Sequence, residues 1–166
     1  MKKILTLAIL LSIMGGLRAQ KIETSFWGCQ FGITSEQVYE NLQTAELSPI
    51  VAQDGIYLKD NKIYKISFQT IGFKFTNGDA FYNIFGYNKY NSKQEGLDAF
   101  NDALDILRQD YPNIQSMSRT TGTLKLYAYA DGDKGTAFSL GLYKGNGGVY
   151  FVRLNVLSDY LLKREK

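Results

Sequence analysis

The sequence predicts an α+β fold, an antiparallel sheet with two helices packed on one face. Three observations carry this expectation. Two segments repeat apolar residues at three- and four-residue steps behind capping residues. Several others alternate apolar and polar residues with the two-residue period of a half-buried strand. The composition favours strands and tight turns, with 12 Tyr, 10 Phe and 16 Gly against two Pro.

The first helix opens at Gly32-Ile33-Thr34-Ser35-Glu36-Gln37-Val38. Thr34 is a natural N-cap, and Gln37 three residues later completes a capping box. Val38 and Leu42 face inward, and Pro49 stops anything helical.

Strands follow. Asn77-Gly78 is a strong two-residue hairpin turn. It would pair Phe75 with Ala80, Phe73 with Tyr82 and Ile71 with Ile84. Upstream, Tyr64, Ile66 and Phe68 occupy even positions, whereas Ile71, Phe73 and Phe75 occupy odd ones. That parity switch predicts a bulge near Gln69–Thr70.

The second helix carries a continuous stripe of Leu97, Phe100, Leu104, Leu107 and Tyr111. Ser92 caps its start, with Glu95 three residues later, and Pro112 ends it. Asp98 and Asp102 share a side but belong to its solvated face.

The last three strands admit a register argument. Leu124, Leu126 and Ala128 form one apolar set, Phe138, Leu140 and Leu142 a second, and Tyr150, Val152, Leu154 and Val156 a third. Aligning the sets demands odd-length loops, because a one-residue slip would expose a whole set. Asp131 to Gly135 supplies five residues and pairs Leu126 with Leu140. Gly145-Asn146-Gly147 supplies three and pairs Leu140 with Val152. The order helix, three strands, helix, three or more strands admits a degenerate helix-plus-three-strand repeat, although the halves share little residue by residue.

Residues 1–19 read as a secretory signal peptide, followed by a single α+β domain over 20–166. Lys2 and Lys3 form its positive start, Ile4 to Met14 its apolar run, and Ala19 a cleavage point. Spanning a bilayer takes about 20 apolar residues, so the expectation is cleavage, with no stable membrane anchor afterwards. The only Cys, Cys29, lies too far downstream to take a lipid. The expected location is extracytoplasmic, periplasmic or secreted.

Subtracting the leader changes the charge. The whole chain has 19 Lys and Arg and 16 Asp and Glu. The leader holds Lys2, Lys3 and Arg18 and no acid, which leaves 16 of each sign. A neutral domain gives no general electrostatic attraction to nucleic acid. With no His in the chain, Ser-His-Asp and Cys-His catalysis and His-ligated metal sites are excluded. One Cys builds neither an internal disulfide nor a thiolate cluster, and Cys29 reads as a buried or half-buried free thiol, the alternative being an intermolecular disulfide or a reactive thiol. No cofactor and no metal are expected. Asp131-Gly132-Asp133-Lys134-Gly135 fails the calcium-loop pattern, with Gly135 at the fifth position and Leu142 at the twelfth. Gly145 to Gly148 precedes a strand and is no phosphate loop.

One surface carries a hypothesis. The register above sets Lys125 beside Gly141 and Phe151, Tyr127 beside Ser139 and Arg153, and Tyr129 beside Ala137 and Asn155. With the helices on the apolar face, these rows form an open face of aromatics and two cations around small residues. Lys125, Tyr127, Tyr129, Phe151, Arg153 and Asn155 are the candidate binding residues. Tyr and Arg are enriched at interface hot spots. The competing reading is an ordinary strand exterior held by cross-strand aromatic pairs.

The stretch Phe26-Trp27-Gly28-Cys29-Gln30-Phe31-Gly32-Ile33-Thr34-Ser35-Glu36-Gln37-Val38 resembles the opening of small exported bacterial domains. BamE/SmpA-type assembly lipoproteins and the repeats of β-lactamase-inhibitor-like proteins share such an opening. The leader and the aromatic, Asn-rich body are similar to small exported proteins of Bacteroidetes. The chain departs from these families in having neither a lipobox Cys nor cysteine pairs. The resemblance implies an extracytoplasmic α+β domain and assigns no functional residue.

The function expected is that of a non-catalytic extracytoplasmic module binding a protein or a cell-surface component. Two alternatives are a glycan-binding or glycan-processing protein and an inhibitor of an exported enzyme. The partner is a protein or a surface glycan.

Overall fold

The computed structural model describes residues 22–117, 123–131 and 136–158. The expected leader and most of the Asp131–Gly135 loop lie outside the described residues. Among those described are ten strands and two α-helices. A small ribbon pairs β1 (Ser25–Phe26) with β2 (Cys29–Gln30), and helix α1 (Ser35–Thr44) follows. Then come β3 (Ile50–Ala52), β4 (Gly55–Ile63), β5 (Ile66–Phe75) and β6 (Phe81–Tyr90). Helix α2 (Lys93–Asp110) precedes β7 (Gln115–Ser116), β8 (Thr123–Asp131), β9 (Thr136–Lys144) and β10 (Tyr150–Ser158). The eight strands β3 to β10 form one antiparallel sheet in the order β3-β4-β5-β6-β10-β9-β8-β7. The class is therefore α+β. The order is symmetric about the central β6–β10 pair, and each half runs helix, then four strands. The first half has one strand more than the sequence suggested, and the second has a fourth where three or more were expected. The additions, β3 and β7, are exposed edge strands of three and two residues, too short for alternation to register.

Both helices form where the capping chemistry puts them. The Thr34 hydroxyl accepts from the Gln37 amide at 3.3 Å, and the Thr34 amide donates to Gln37 Oε1 at 3.1 Å. Ser92 accepts from the Glu95 amide at 3.2 Å. Val38 and Leu42 of α1 and Phe100, Leu104 and Leu107 of α2 join one buried cluster with Ile71, Phe73, Ile84, Leu140, Leu154 and Val156. Helix α2 packs on β6, β9 and β10. None of the described helices is long and apolar enough to cross a membrane.

Cys29 is buried within this cluster, its sulfur 3.7 Å from the Val38 carbonyl oxygen and 3.9 Å from that of Trp27. Burial pushes the thiol up to about 11. Only the thiolate is nucleophilic, so Cys29 is expected to resist a thiol-specific disulfide reagent at neutral pH. Measured modification should be at least about 100-fold slower than in the denatured chain, and equal rates would contradict this burial.

The hairpins differ from expectation in instructive ways. Among the described residues, the two-residue turn between long strands is Tyr64-Lys65, with φ of 50° and 68° between Ile63 and Ile66. Left-handed backbone at a Tyr is costly. Tertiary packing offsets it: the Tyr64 ring meets Phe26 and Tyr111 edge-on, each at 5.9 Å, and its hydroxyl donates to the Glu23 carbonyl at 3.0 Å. Asn77-Gly78 lies instead inside a five-residue connection, 76–80, closed by Thr76 and Ala80. Phe73 pairs with Ile84, not Tyr82, and Phe75 with Phe81, not Ala80. The shift lets Phe81 and Ile84, three apart, both reach the core, with Tyr82 as the extra residue.

The face switch does fall at Gln69–Thr70, where Phe68 and Ile71 are both buried. It is not a bulge in the β4–β5 ladder, which keeps one register throughout. Strand β4 switches faces alongside, at Asp60, whose φ is 49°. On the β6 side the Asn88 and Gln69 side chains replace ladder bonds: Asn88 Oδ1 accepts from the Gln69 amide at 2.6 Å, and Gln69 Oε1 from the Lys89 amide at 3.0 Å.

The C-terminal register carries the largest correction. Tyr127 pairs with Leu140, Tyr129 with Phe138 and Lys125 with Leu142. Four residues, not five, separate Asp131 from its partner Thr136. Strand β8 is thus slipped by one residue from Lys125 onward, and the side chains there change face, whereas a register shift between Thr123 and Lys125 keeps Leu124 packed against the core as expected. The β9–β10 connection holds five residues, 145–149, not three, so Leu140 pairs with Leu154. That slip of two preserves the faces.

Candidate functional site

The register defines what lies on the sheet face opposite the core. Arg153 on β10 stands between Tyr87 of β6 and Gly141 of β9. The row continues to Thr70 and Lys59 on one side and Leu126 on the other. The next row runs Tyr57, Gly72, Phe85, Asn155, Ser139, Ala128. A third sets Lys89 beside Phe151 and Tyr143. Cations and aromatics recur here, and none of these rows contains an acid.

The centre of the face is a concavity of about 610 Å³ lined by Phe85, Tyr87, Tyr143, Phe151, Arg153 and Asn155. That volume is in the range of ligand sites. Glycines shape its floor. A Cβ at Gly141 would be driven into the Tyr143 ring, and one at Gly72 into the Phe85 ring. The rings therefore lie flat over bare backbone. Phe85 and Tyr87 stack at 6.3 Å and 14°, and Phe151 meets Tyr87 edge-on at 6.3 Å.

Arg153 is the polar centre. Its guanidinium lies 4.4 Å from the centroid of the Phe85 ring, a cation–π contact. Its Nε donates to Asn155 Oδ1 at 2.9 Å. No described carboxylate pairs with it. Burial pulls Arg153 below the ordinary arginine value, with Tyr143, Tyr57 and Tyr87 acting in the opposite direction. The group still carries its charge at any physiological pH.

Lys74, nearer the β3 edge, shows the opposite condition. Its ammonium pairs with Asp54 at 2.5 Å and donates to the Tyr57 hydroxyl at 3.2 Å. The Tyr57 hydroxyl donates to Asp54 at 2.7 Å. The Lys74 hydrogen bond, and then that of Tyr57, hold the Asp54 carboxyl below its usual range. This trio is satisfied internally.

Three of the six expected residues stand at the concavity: Phe151, Arg153 and Asn155. Lys125, Tyr127 and Tyr129 do not. The slip of β8 turns them toward the core side. Lys125 Nζ donates to Asn101 Oδ1 of α2 at 3.3 Å and lies 5.5 Å over Phe100. Tyr127 packs on Phe100 at 5.9 Å beneath the Arg108 guanidinium. Tyr129 joins Tyr111 at 5.3 Å and Phe138 at 5.7 Å. An aromatic cluster around Tyr111 and Phe138 takes the core side that Leu126 and Ala128 were expected to fill, and Tyr hydroxyls tolerate the half-wet rim of a helix. Hydrophobicity alone makes Leu126 and Ala128 the inward set.

Phe85, Tyr87 and Tyr143 were missed. Tyr143 was within reach, since Ser139, Gly141 and Tyr143 alternate against Leu140 and Leu142. Phe85 and Tyr87 join the site only through the β6–β10 pairing, which spans more than sixty residues and has no local signal.

A second hollow, of about 640 Å³, lies beside the start of α1 and includes Glu36, Tyr39, Asp54 and Asp79. Asp79 there accepts from the Ser35 amide at 3.2 Å, and Asp54 is held by Lys74. Among the described residues no cluster of three or more Cys, Asp or Glu is placed to hold a metal. Comparison with protein-family models, characterised proteins and solved structures finds no match to the chain.

Proposed function

We propose that the chain is a non-catalytic, extracytoplasmic module that binds a protein through the open sheet face. The observation that carries this reading is the aromatic concavity centred on Arg153. Aromatic and Arg side chains held by packing lose little entropy on binding. A rigid sheet presents them without rearrangement. The concavity supplies no carboxylate, thiol or imidazole to act as acid, base or nucleophile. The extracytoplasmic location rests on the leader-like residues 1–19.

The test is crosslinking pull-down from the native envelope. Tyr87→Ala combined with Phe151→Ala is expected to keep a cooperative thermal melt and to lose the crosslinked partner at least about tenfold, as truncated hot spots do. Undiminished capture by that double variant would sink the site.

A second reading, glycan binding, is favoured by the near-parallel Phe85–Tyr87 pair, a flat apolar ledge of the kind sugars stack on. Glycan processing would further need a carboxylate pair roughly 5–10 Å apart, and the concavity has none. An inhibitor of an exported enzyme would be one form of the protein-binding reading.

A further inference from the structure

We propose that the open face docks an acidic segment of a partner protein, with one Asp or Glu carboxylate seated on the Arg153 guanidinium. This rests on the binding-module reading and names the chemistry of its partner. The warrant is charge complementarity at one half-buried cation. Arg153 presents five N–H donors. Asn155 takes one of them, and Phe85 covers a face of the guanidinium that has no donors. The other four find no described carboxylate. A cation half out of water gains most from a partner that restores charge and hydrogen bonds together. Every other charge on the three rows, Lys59 and Lys89, is also positive, and Asp54, which reaches the Tyr57 hydroxyl from outside them, is paired with Lys74. An acidic occupant is attracted by all of them, and a basic one is repelled by all.

The geometry selects the kind of anion. The planar fork matches a planar carboxylate. A phosphate would call for several converging cations. Lys74, which also lies over Phe85, is taken by Asp54. Lys89 stands one strand over and two residues along from Arg153, roughly 8 Å by backbone spacing. Lys59, whose ammonium donates to Thr70 at 3.0 Å, stands three strands away, roughly 14 Å at the usual strand spacing. Around the fork, Tyr87, Tyr143 and Phe151 offer rings to the apolar part of an acidic side chain and its neighbours.

The probes are the peptide acetyl-Phe-Glu-Phe-amide, its Gln counterpart, sodium phosphate and a glucuronate oligosaccharide. Each is titrated into the ¹⁵N-labelled protein while the Arg153 Nε–H resonance is followed, together with the backbone amides of Tyr87, Gly141 and Phe151, which serve as the readout in the Arg153 variants. The Glu peptide should shift it saturably and bind about tenfold more tightly than the Gln peptide, as a charge-assisted pair does. Arg153→Lys keeps the charge but loses the fork, and should lower that ratio. Arg153→Gln should bring it to unity, with the amide spectrum otherwise that of a folded chain. The proposal is overturned by equal binding of the two peptides, or by a ratio that survives Arg153→Gln. Tighter binding of phosphate or glucuronate, or no saturable shift up to about 0.1 M, also overturns it. Should that happen while Tyr87→Ala with Phe151→Ala still loses its crosslinked partner, the binding-module reading stands without the carboxylate. Capture that survives the double variant removes the reading itself.

Discussion

Tyr129→Ala is expected to destabilise the protein by about 2–3 kcal/mol and to leave partner capture unchanged. The Tyr129 ring fills the space between Tyr111 and Phe138, and Phe138 is 1% exposed. Removing it opens a cavity against a packed wall, where aromatic-to-Ala changes cost about 3–5 kcal/mol when burial is complete. Tyr129 is half-buried, so the lower figure applies. For a domain of this size the melting midpoint should fall by about 5–10 °C. Leu126→Ala, on the opposite face of the same strand, should cost under about 1 kcal/mol. The two registers of β8 predict opposite outcomes. With Tyr129 on the open face, its truncation would spare stability and damage binding. Paired thermal melts of Tyr129→Ala and Leu126→Ala decide between them, and a larger loss at Leu126 would refute the register described here.

Gly86→Val is expected to cost about 3 kcal/mol or more, the upper end for overpacking a core. Gly86 sits mid-sheet on β6, paired with Ile71 and Leu154. The Phe68 ring lies directly over it, where a Cβ would overlap the ring carbons. Phe68 is itself 1% exposed and has nowhere to retreat. The glycine is there for space, since its φ is not among the positive values. Shrinking the ring should therefore recover part of the loss. Denaturant unfolding of Gly86→Val, Phe68→Leu and the double variant would show it as a favourable coupling. Strict additivity would mean that the damage lies elsewhere.

Both substitutions probe what sequence reasoning handles unevenly. The helices were legible because their determinants are local. Thr34 and Gln37, or Ser92 and Glu95, lie three residues apart, and the bonds they make are the ones the spacing implies. The stripe through Phe100, Leu104 and Leu107 needed only helical periodicity. Parity within β9 and β10 was equally legible, because Phe138, Leu140, Leu142, Val152, Leu154 and Val156 are buried on one side of a central strand pair. Phe151, Arg153 and Asn155 reached the site by that route.

Strand β8 failed for a physical reason. It lies next to the sheet edge, with only two-residue β7 outside it. Both of its faces are half-buried, so hydrophobic contrast specifies its register weakly. The choice then rests on which side chains find partners. Those partners, Phe100, Tyr111 and Phe138, come from other elements. Tyr64-Lys65 shows the same override at a turn, where packing of one ring selects a backbone that neither residue favours alone.

What the sequence determined by itself was the α+β class, the two capped helices and the inward sets of the central strands. Each depends on residues within one or two turns of chain, where capping bonds and periodic burial act. Only the tertiary structure decided the register of β8, the central β6–β10 seam and the concavity built across it. Each of these depends on ring packing and strand pairing between residues far apart in the chain, whose energies no local pattern contains.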